Sequence, residues 1–323
     1  MFDYKVVMTD NIFPDLEIER RMLSAVNAEF ILVPKGEDIG SYTADADVVV
    51  NTYARVTADI IARMEKCRMV IRNGIGVDTI DVRACTEKGI MVANVPHYCS
   101  DEVSTHTMAL ILALTRKLKP MNCAVSRGVW DVKQAMPMYS LKDKVLGLVG
   151  FGKIPRLVVE KARVFDMKVI AYDPFVSEAD MGACYVEKVS MEELTAKSDV
   201  ISIHCPLNDK TRNTFNMDVF RRMKPTAYLI NAARAPIVNE PDLIAALQQG
   251  MIAGAGLDLL ADNGADAGNP LLHMEQVIVT PHSAWYSEES IVRRRTQTME
   301  SVIAVLQGGE PPALCNRAEL LRR

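Results

Sequence analysis

The chain has 323 residues, more than one typical domain holds, so two domains are expected. Its 49% apolar and 24% charged residues match an ordinary globular protein, and a net charge of -4 with acids and bases interspersed leaves no basic surface for nucleic acid. The seven cysteines are odd in number and scattered, with no Cys-x-x-Cys or Cys/His cluster, so no metal is expected and reduced thiols in a cytoplasmic setting fit best.

The first residues carry an early acid, Asp3, and only a short apolar run, so a secretory signal is not expected. Strand candidates then follow at Lys5–Met8, Phe30–Val33, Asp47–Asn51 and Met69–Arg72, separated by amphipathic stretches at Asp15–Asn27 and Thr57–Glu65. An unusually apolar helical stretch, Ser104–Lys117, contains the longest apolar run, Met108–Leu114, too short to cross a bilayer. It reads as a buried interdomain or dimer-interface helix, and Trp130 beyond it as a core residue. A second block supplies strands at Val145–Val149, Lys168–Ala171, Val200–Ile203, Tyr228–Asn231 and Val277–Thr280, with helices at Met191–Lys197 and Glu240–Gln249. A last long helix spans Glu288–Leu306. Strands alternating with helices predict an α/β protein with parallel sheets and right-handed crossovers.

The strongest local signal is Val145-Leu146-Gly147-Leu148-Val149-Gly150-Phe151-Gly152-Lys153-Ile154-Pro155. An apolar strand runs into Gly-x-Gly and a helix, and the next strand ends in Tyr172-Asp173-Pro174. Gly150 permits a tight turn, Gly152 lets backbone approach a pyrophosphate, and the helix start offers N–H groups and positive potential. Asp173 lies at about the 20-residue spacing at which an acid grips the adenosine ribose, which favours NAD over NADP. Pro155 departs from the usual third glycine, although proline is tolerated in a first helical turn.

Three further segments end strands in chemistry. Leu229-Ile230-Asn231-Ala232-Ala233-Arg234 supplies an arginine, Gly256-Leu257-Asp258 an acid, and Val279-Thr280-Pro281-His282 a histidine. The carboxyl ends of strands line the ligand crevice of an open α/β sheet. Histidine and arginine there suit a proton donor with a carboxylate and carbonyl clamp.

With these segments in hand, the chain resembles the D-isomer-specific 2-hydroxyacid dehydrogenases over essentially its whole length. The resemblance rests on Arg72-Asn73-Gly74-Ile75-Gly76-Val77-Asp78, Asn94-Val95-Pro96, the Gly150 turn, His204-Cys205-Pro206-Leu207, Asn231–Arg234, Gly254–Asp258 and Thr280–His282. The stretch from Thr280 to Glu289 is particularly similar to the C-terminal-binding proteins, NAD(H)-binding corepressors of the same fold.

The resemblance implies two Rossmann-like or flavodoxin-like parallel-sheet domains with the active site in the cleft between them. A discontinuous substrate domain would comprise 1–99 and 288–323, and the NAD-binding domain 100–287. Gly74, Ile75 and Gly76 would hold the substrate carboxylate, with Arg72 at the mouth and Trp285 over the substrate side chain. Arg234 would grip the carboxylate and polarise the carbonyl, and His282 would exchange the proton. NAD would lie on Gly150, Gly152, Lys153, Ile154, Asp173, His204, Cys205, Pro206, Thr211 and Ala233, with Asp258 at the nicotinamide carboxamide. His106 reads either as a residue near the cofactor or as a capping or packing one. A homodimer joined through the region after Asn94 is also implied, with no membrane or nucleic-acid partner.

The departures are Ala235 and Asn239 after the arginine, and Asn263 where a glutamate usually pairs with the histidine. An amide there would orient His282 without adding charge, as in the formate dehydrogenases of this superfamily, or would simply lie on a loop surface. The expected activity is NAD(H)-dependent interconversion of a small 2-oxo acid and its D-2-hydroxy acid. The alternative is an NAD(H)-binding regulatory, corepressor-like module with vestigial catalysis.

Overall fold

The β-branched runs form the expected strands in a computed structural model that describes residues 2–261 and 266–322. The chain divides into two compact units, Met1–Cys99 with Ser287–Arg323, and Ser100–Tyr286. Ser287 falls with the first unit because it is the N-cap of the Glu288–Leu306 helix, where its side chain and that of Ser290 form a reciprocal capping box.

The first unit holds strands β1 (Tyr4–Met8), β2 (Ala28–Leu32), β3 (Val48–Asn51), β4 (Met69–Arg72) and β5 (Met91–Ala93) in the spatial order β2-β1-β3-β4-β5. All pairings are parallel. Alternation with period two sorts the side chains onto two faces. Val6, Met8, Val48, Val50, Met69 and Ile71 pack on one face with Met299, Val302, Val305 and Leu306 of the last long helix. Val7, Val49, Val70 and Val92 pack on the other. Each large apolar side chain buried in this way contributes about 1.5–3 kcal/mol.

The second unit holds β6 (Val145–Val149), β7 (Lys168–Tyr172), β8 (Glu187–Lys188), β9 (Val200–Ile203), β10 (Tyr228–Asn231), β11 (Gly254–Leu257) and β12 (Val277–Val279). They form one parallel sheet, ordered β12-β11-β10-β9-β6-β7-β8. The chain leaves β6 toward β7 on one side and later returns to β9 on the other, so the topological switch lies between β6 and β9. Open α/β sheets bind ligands at the carboxyl ends beside such a switch.

The Ser100–Thr115 helix starts four residues before the expected stretch. Its Met108, Leu110, Ile111 and Leu114 belong to this unit's own core, packed with Leu146, Leu148 and Val158. The apolar run therefore covers its own sheet. Strand β11 lacks β-branched residues for the same reason. A methyl group on Gly256 would come within 3.1 Å of Leu110 Cβ and Leu114 Cδ1, tighter than side chains ordinarily pack, so glycine eases the close approach of the helix. Trp130 is not a core residue: it is 89% exposed, in a segment where Val129, Val132, Met136 and Tyr139 are exposed too. Among the described residues no helix is long and apolar enough to cross a membrane.

Candidate active site

In the second unit, the turn after β6 is built by Gly150. Its φ of +96° lies in the left-handed region, and a Cβ there would sit 2.9 Å from both Cys205 N and His204 C. Only glycine lets these two strand ends approach so closely. Gly152 is the N-cap of the Lys153–Arg163 helix and supplies no side-chain cap. The first-turn N–H groups, beginning at exposed Lys153 and half-buried Ile154, are thus left for an anion. Pro155 is buried at the third helical position, within the first turn where its missing N–H costs no helical bond. Asp173, after β7, accepts from the N–H groups of Phe151 and Phe175, each at 2.8 Å. Its carboxylate is thereby locked beside the glycine turn with acceptor capacity remaining for hydroxyls.

Across the switch, the segment after β9 is folded on itself. Thr211 Oγ1 donates to the Pro206 carbonyl at 2.7 Å and accepts from Asn208 N–H at 2.8 Å. His204 Nε2 lies 2.9 Å from Ser202 Oγ. Desolvation of the His204 ring pushes its pKa down to about 4, and burial pushes the Cys205 thiol up to about 11. Both are uncharged near neutrality, which suits a cofactor lining and not an acid, base or nucleophile.

After β10, Asn231 shapes the loop. Its Oδ1 accepts from Ala233 N–H at 3.1 Å and its Nδ2 donates to the Arg234 carbonyl at 2.9 Å. Arg234 Nη1 donates to the Ala233 carbonyl at 2.7 Å, and the side chain is half-buried.

Asp258, after β11, is 1% exposed and organises the loop after β12. Its Oδ1 accepts from Thr280 Oγ1 at 2.6 Å and Ser283 N–H at 2.9 Å, and its Oδ2 from Ala284 N–H at 3.0 Å. His282 N–H donates to the carbonyls of Asp258 at 2.8 Å and Thr280 at 3.0 Å. These bonds hold His282 at a φ of +51°, a conformation that costs a residue with a Cβ about 1–2 kcal/mol. Trp285, half-buried, meets Tyr286 edge-on with ring centroids 5.6 Å apart. Asn263 lies outside the described residues.

In the first unit, Arg72 ends β4 with 8% exposure, donates through Nη1 to the Asn73 carbonyl at 2.6 Å and lies 5.4 Å over the Tyr53 ring. The loop that follows is pinned from the next strand's end: Val95 N–H donates to the Gly74 carbonyl at 2.9 Å and Asn94 Nδ2 to the Ile75 carbonyl at 2.6 Å. Gly76 follows, half-buried.

Thus Gly150, Asp173, His204, Arg234, Asp258 and His282 gather at the carboxyl ends of β6, β7, β9, β10, β11 and β12. Sequence reasoning missed the supporting roles of Asn231 and Thr280 here, and that of Asn94, which holds the Ile75 carbonyl in the first unit. The spacing of Asn231 before Ala233 is an Asx-turn signal, but nothing in the sequence pairs Thr280 with Asp258.

A family model described as D-isomer specific 2-hydroxyacid dehydrogenase, NAD binding domain, matches residues 108–284. The D-3-phosphoglycerate dehydrogenase of Methanocaldococcus jannaschii is 38% identical over 274 residues, covering 84% of this chain and 52% of the relative, so the chain spans about half of that protein's length. The glyoxylate reductase of Korarchaeum cryptofilum is 32% identical over 321 residues, covering 96% and 97%. Among solved structures, the D-lactate dehydrogenase of Aquifex aeolicus complexed with NAD and lactic acid superimposes with a TM-score of 0.86 at 28% identity, covering 94% of this chain and 96% of that one.

Proposed function

This chain belongs to the D-isomer specific 2-hydroxyacid dehydrogenase family, and on that premise we propose that it reduces a small 2-oxo acid to its D-2-hydroxy acid, and reverses the reaction, with NAD(H). The observation that carries this reading is the alignment of Arg234, Asp258 and His282 on the ends of three adjacent parallel strands, β10, β11 and β12. The cradle fits the cofactor: a side-chain-free turn at Gly150, an uncapped helix start at Gly152 and a fixed carboxylate at Asp173.

When bound, NAD supplies the hydride acceptor, and NADH the donor. The Ser100–Tyr286 unit is the NAD-binding domain and the discontinuous unit the substrate domain. Gly152, Lys153 and Ile154 give the helix start to the pyrophosphate, and His204, Cys205, Pro206, Thr211 and Ala233 line the cofactor. Asp258 Oδ2, with one described donor, keeps acceptor capacity for a carboxamide N–H. Arg234 binds the substrate carboxylate and draws charge onto the carbonyl oxygen, aided by Arg72 and the Gly74-Ile75-Gly76 backbone. His282 holds the proton that passes to that oxygen on reduction, and takes it back on oxidation. Trp285 covers the substrate side chain.

A second copy of the chain covers the exposed Trp130 segment, making a homodimer. The corepressor-like reading is not favoured, since Arg234 and His282 are both retained and the relatives carry the names of enzymes.

The test is NADH oxidation against a panel of 2-oxo acids: glyoxylate, pyruvate, hydroxypyruvate, and longer aliphatic, aromatic and phosphorylated ones. Turnover that disappears in Arg234→Ala is expected. Tight NADH binding with no turnover on any of them would count for the regulatory reading instead.

A further inference from the structure

The Asp258–Thr280 pair has a third member. His106 projects from the Ser100–Thr115 helix, and its Nε2 lies 3.0 Å from Thr280 Oγ1 and 3.6 Å from Asp258 Oδ1. The His106 side chain is 22% exposed and Asp258 2%, so the three groups meet in a largely dry place.

The proton count fixes the direction of this chain of bonds. Both Asp258 oxygens already accept from backbone N–H groups. The 2.6 Å contact therefore has Thr280 donating its single hydroxyl proton to Asp258 Oδ1. With that proton committed, Thr280 Oγ1 can only accept from His106, so Nε2 carries a hydrogen. The sequence runs His106 Nε2–H to Thr280 Oγ1, and Thr280 Oγ1–H to Asp258 Oδ1. It ends on the two residues whose main-chain carbonyls hold the N–H of His282.

We propose that His106 is a positioning residue for His282: its Nε2–H, passed through Thr280 to Asp258, sets the hydroxyl and carboxylate that fix the left-handed turn presenting the reacting imidazole. Hydrogen bonds in such chains polarise one another, so loss of the first donor weakens the second bond as well. The turn at His282 then has fewer bonds opposing its backbone strain, and the ring samples positions outside reach of the substrate oxygen. The helix that packs against β10 and β11 becomes by this route part of the site's support.

The role in turnover rests on the reading of His282 given above, whereas the geometry of the chain of bonds does not. The test therefore joins a spectroscopic reading to a kinetic one, in the full-length protein and two variants. His106→Leu removes the donor; His106→Gln restores an N–H at similar reach. NMR of isotope-labelled histidines is expected to show His106 in the Nε2–H form. His282 ring signals should move in the leucine variant and return in the glutamine variant, even in the absence of any substrate. With a turned-over 2-oxo acid, kcat is expected to fall about tenfold in His106→Leu, with NADH affinity changed less than about twofold, and to recover in His106→Gln. An Nδ1–H form of His106, or His282 signals unmoved in the leucine variant, overturns the proposal. A chain inert toward every 2-oxo acid but with the expected NMR shifts sinks the dehydrogenase reading and leaves the positioning of His282 standing.

Discussion

Phe151 N–H donates to Asp173 Oδ2 across 2.8 Å, tying the acid at the end of β7 to the glycine turn at the end of β6. One carboxylate thus serves the turn and, on the proposed reading, the cofactor ribose. Asp173→Ala should weaken NADH binding about tenfold or more, because it removes a charge-assisted acceptor and loosens the turn together. Discrimination against NADPH should narrow, since the charge opposing a 2′-phosphate is gone. Fluorescence titration with both nucleotides checks this; an unchanged NADH-to-NADPH ratio would contradict it.

Asp258→Asn places an NH2 group where two oxygens now accept. At least one of the Thr280, Ser283 and Ala284 donors would then face another donor. Stability should drop by about 1–3 kcal/mol, the cost of a buried unsatisfied polar group. Turnover should fall about a hundredfold through the displaced His282 loop. Chemical denaturation and steady-state rates measure the two effects separately, and a variant that loses stability alone would show that the loop tolerates the change.

The His204 ring, held to about 4, predicts a specific acid dependence. An unfolded chain binds a proton on this ring below about pH 6.5, whereas the folded chain does not until about pH 4. Protons therefore favour unfolding across that window: the contribution is complete above it and lost as the pH falls through it. In His204→Gln the midpoint of urea unfolding should fall less between pH 6.5 and 4 than in the parent. Parallel profiles for the two proteins would remove His204 as the cause.

On the resemblance that puts residue 263 where the family's glutamate stands, Asn263→Glu should add a negative charge beside the imidazole that holds the proton in the proposed reaction. A carboxylate raises the pKa of a neighbouring histidine, so the protonated form needed for reduction persists to higher pH. The alkaline limb of the pH–rate profile should move upward. An unmoved limb would place residue 263 away from His282.

The sequence made the parallel sheets legible because strands buried on both faces read as short β-branched runs, as at Val48–Asn51 and Val200–Ile203. Strand β11 was harder to see, since Gly254 and Gly256 are chosen for close approach and carry no strand signal of their own. The ends of strands announced Arg234, Asp258 and His282 through residue type and position. Their supports were not legible, because a bond such as Thr280 to Asp258 joins strands that become neighbours only when the sheet forms. The exposure of Trp130 was likewise hidden, as an apolar residue reads the same whether its cover is its own core or another surface.

The discontinuity of the first unit bears on how the protein is made. Its N-terminal portion leaves the ribosome with the sheet face of Val6, Met8, Val48, Val50, Met69 and Ile71 lacking the Glu288–Leu306 helix that covers it. Roughly 200 more residues must be translated before that helix emerges, a delay of about 10–40 s at ordinary synthesis rates. The second unit, continuous in the chain, has its whole core available meanwhile and can fold first. Nascent chains arrested after residue 286 should therefore show a protease-resistant second unit joined to a protease-sensitive first one, and the open face of β1, β3 and β4 is where a chaperone would bind.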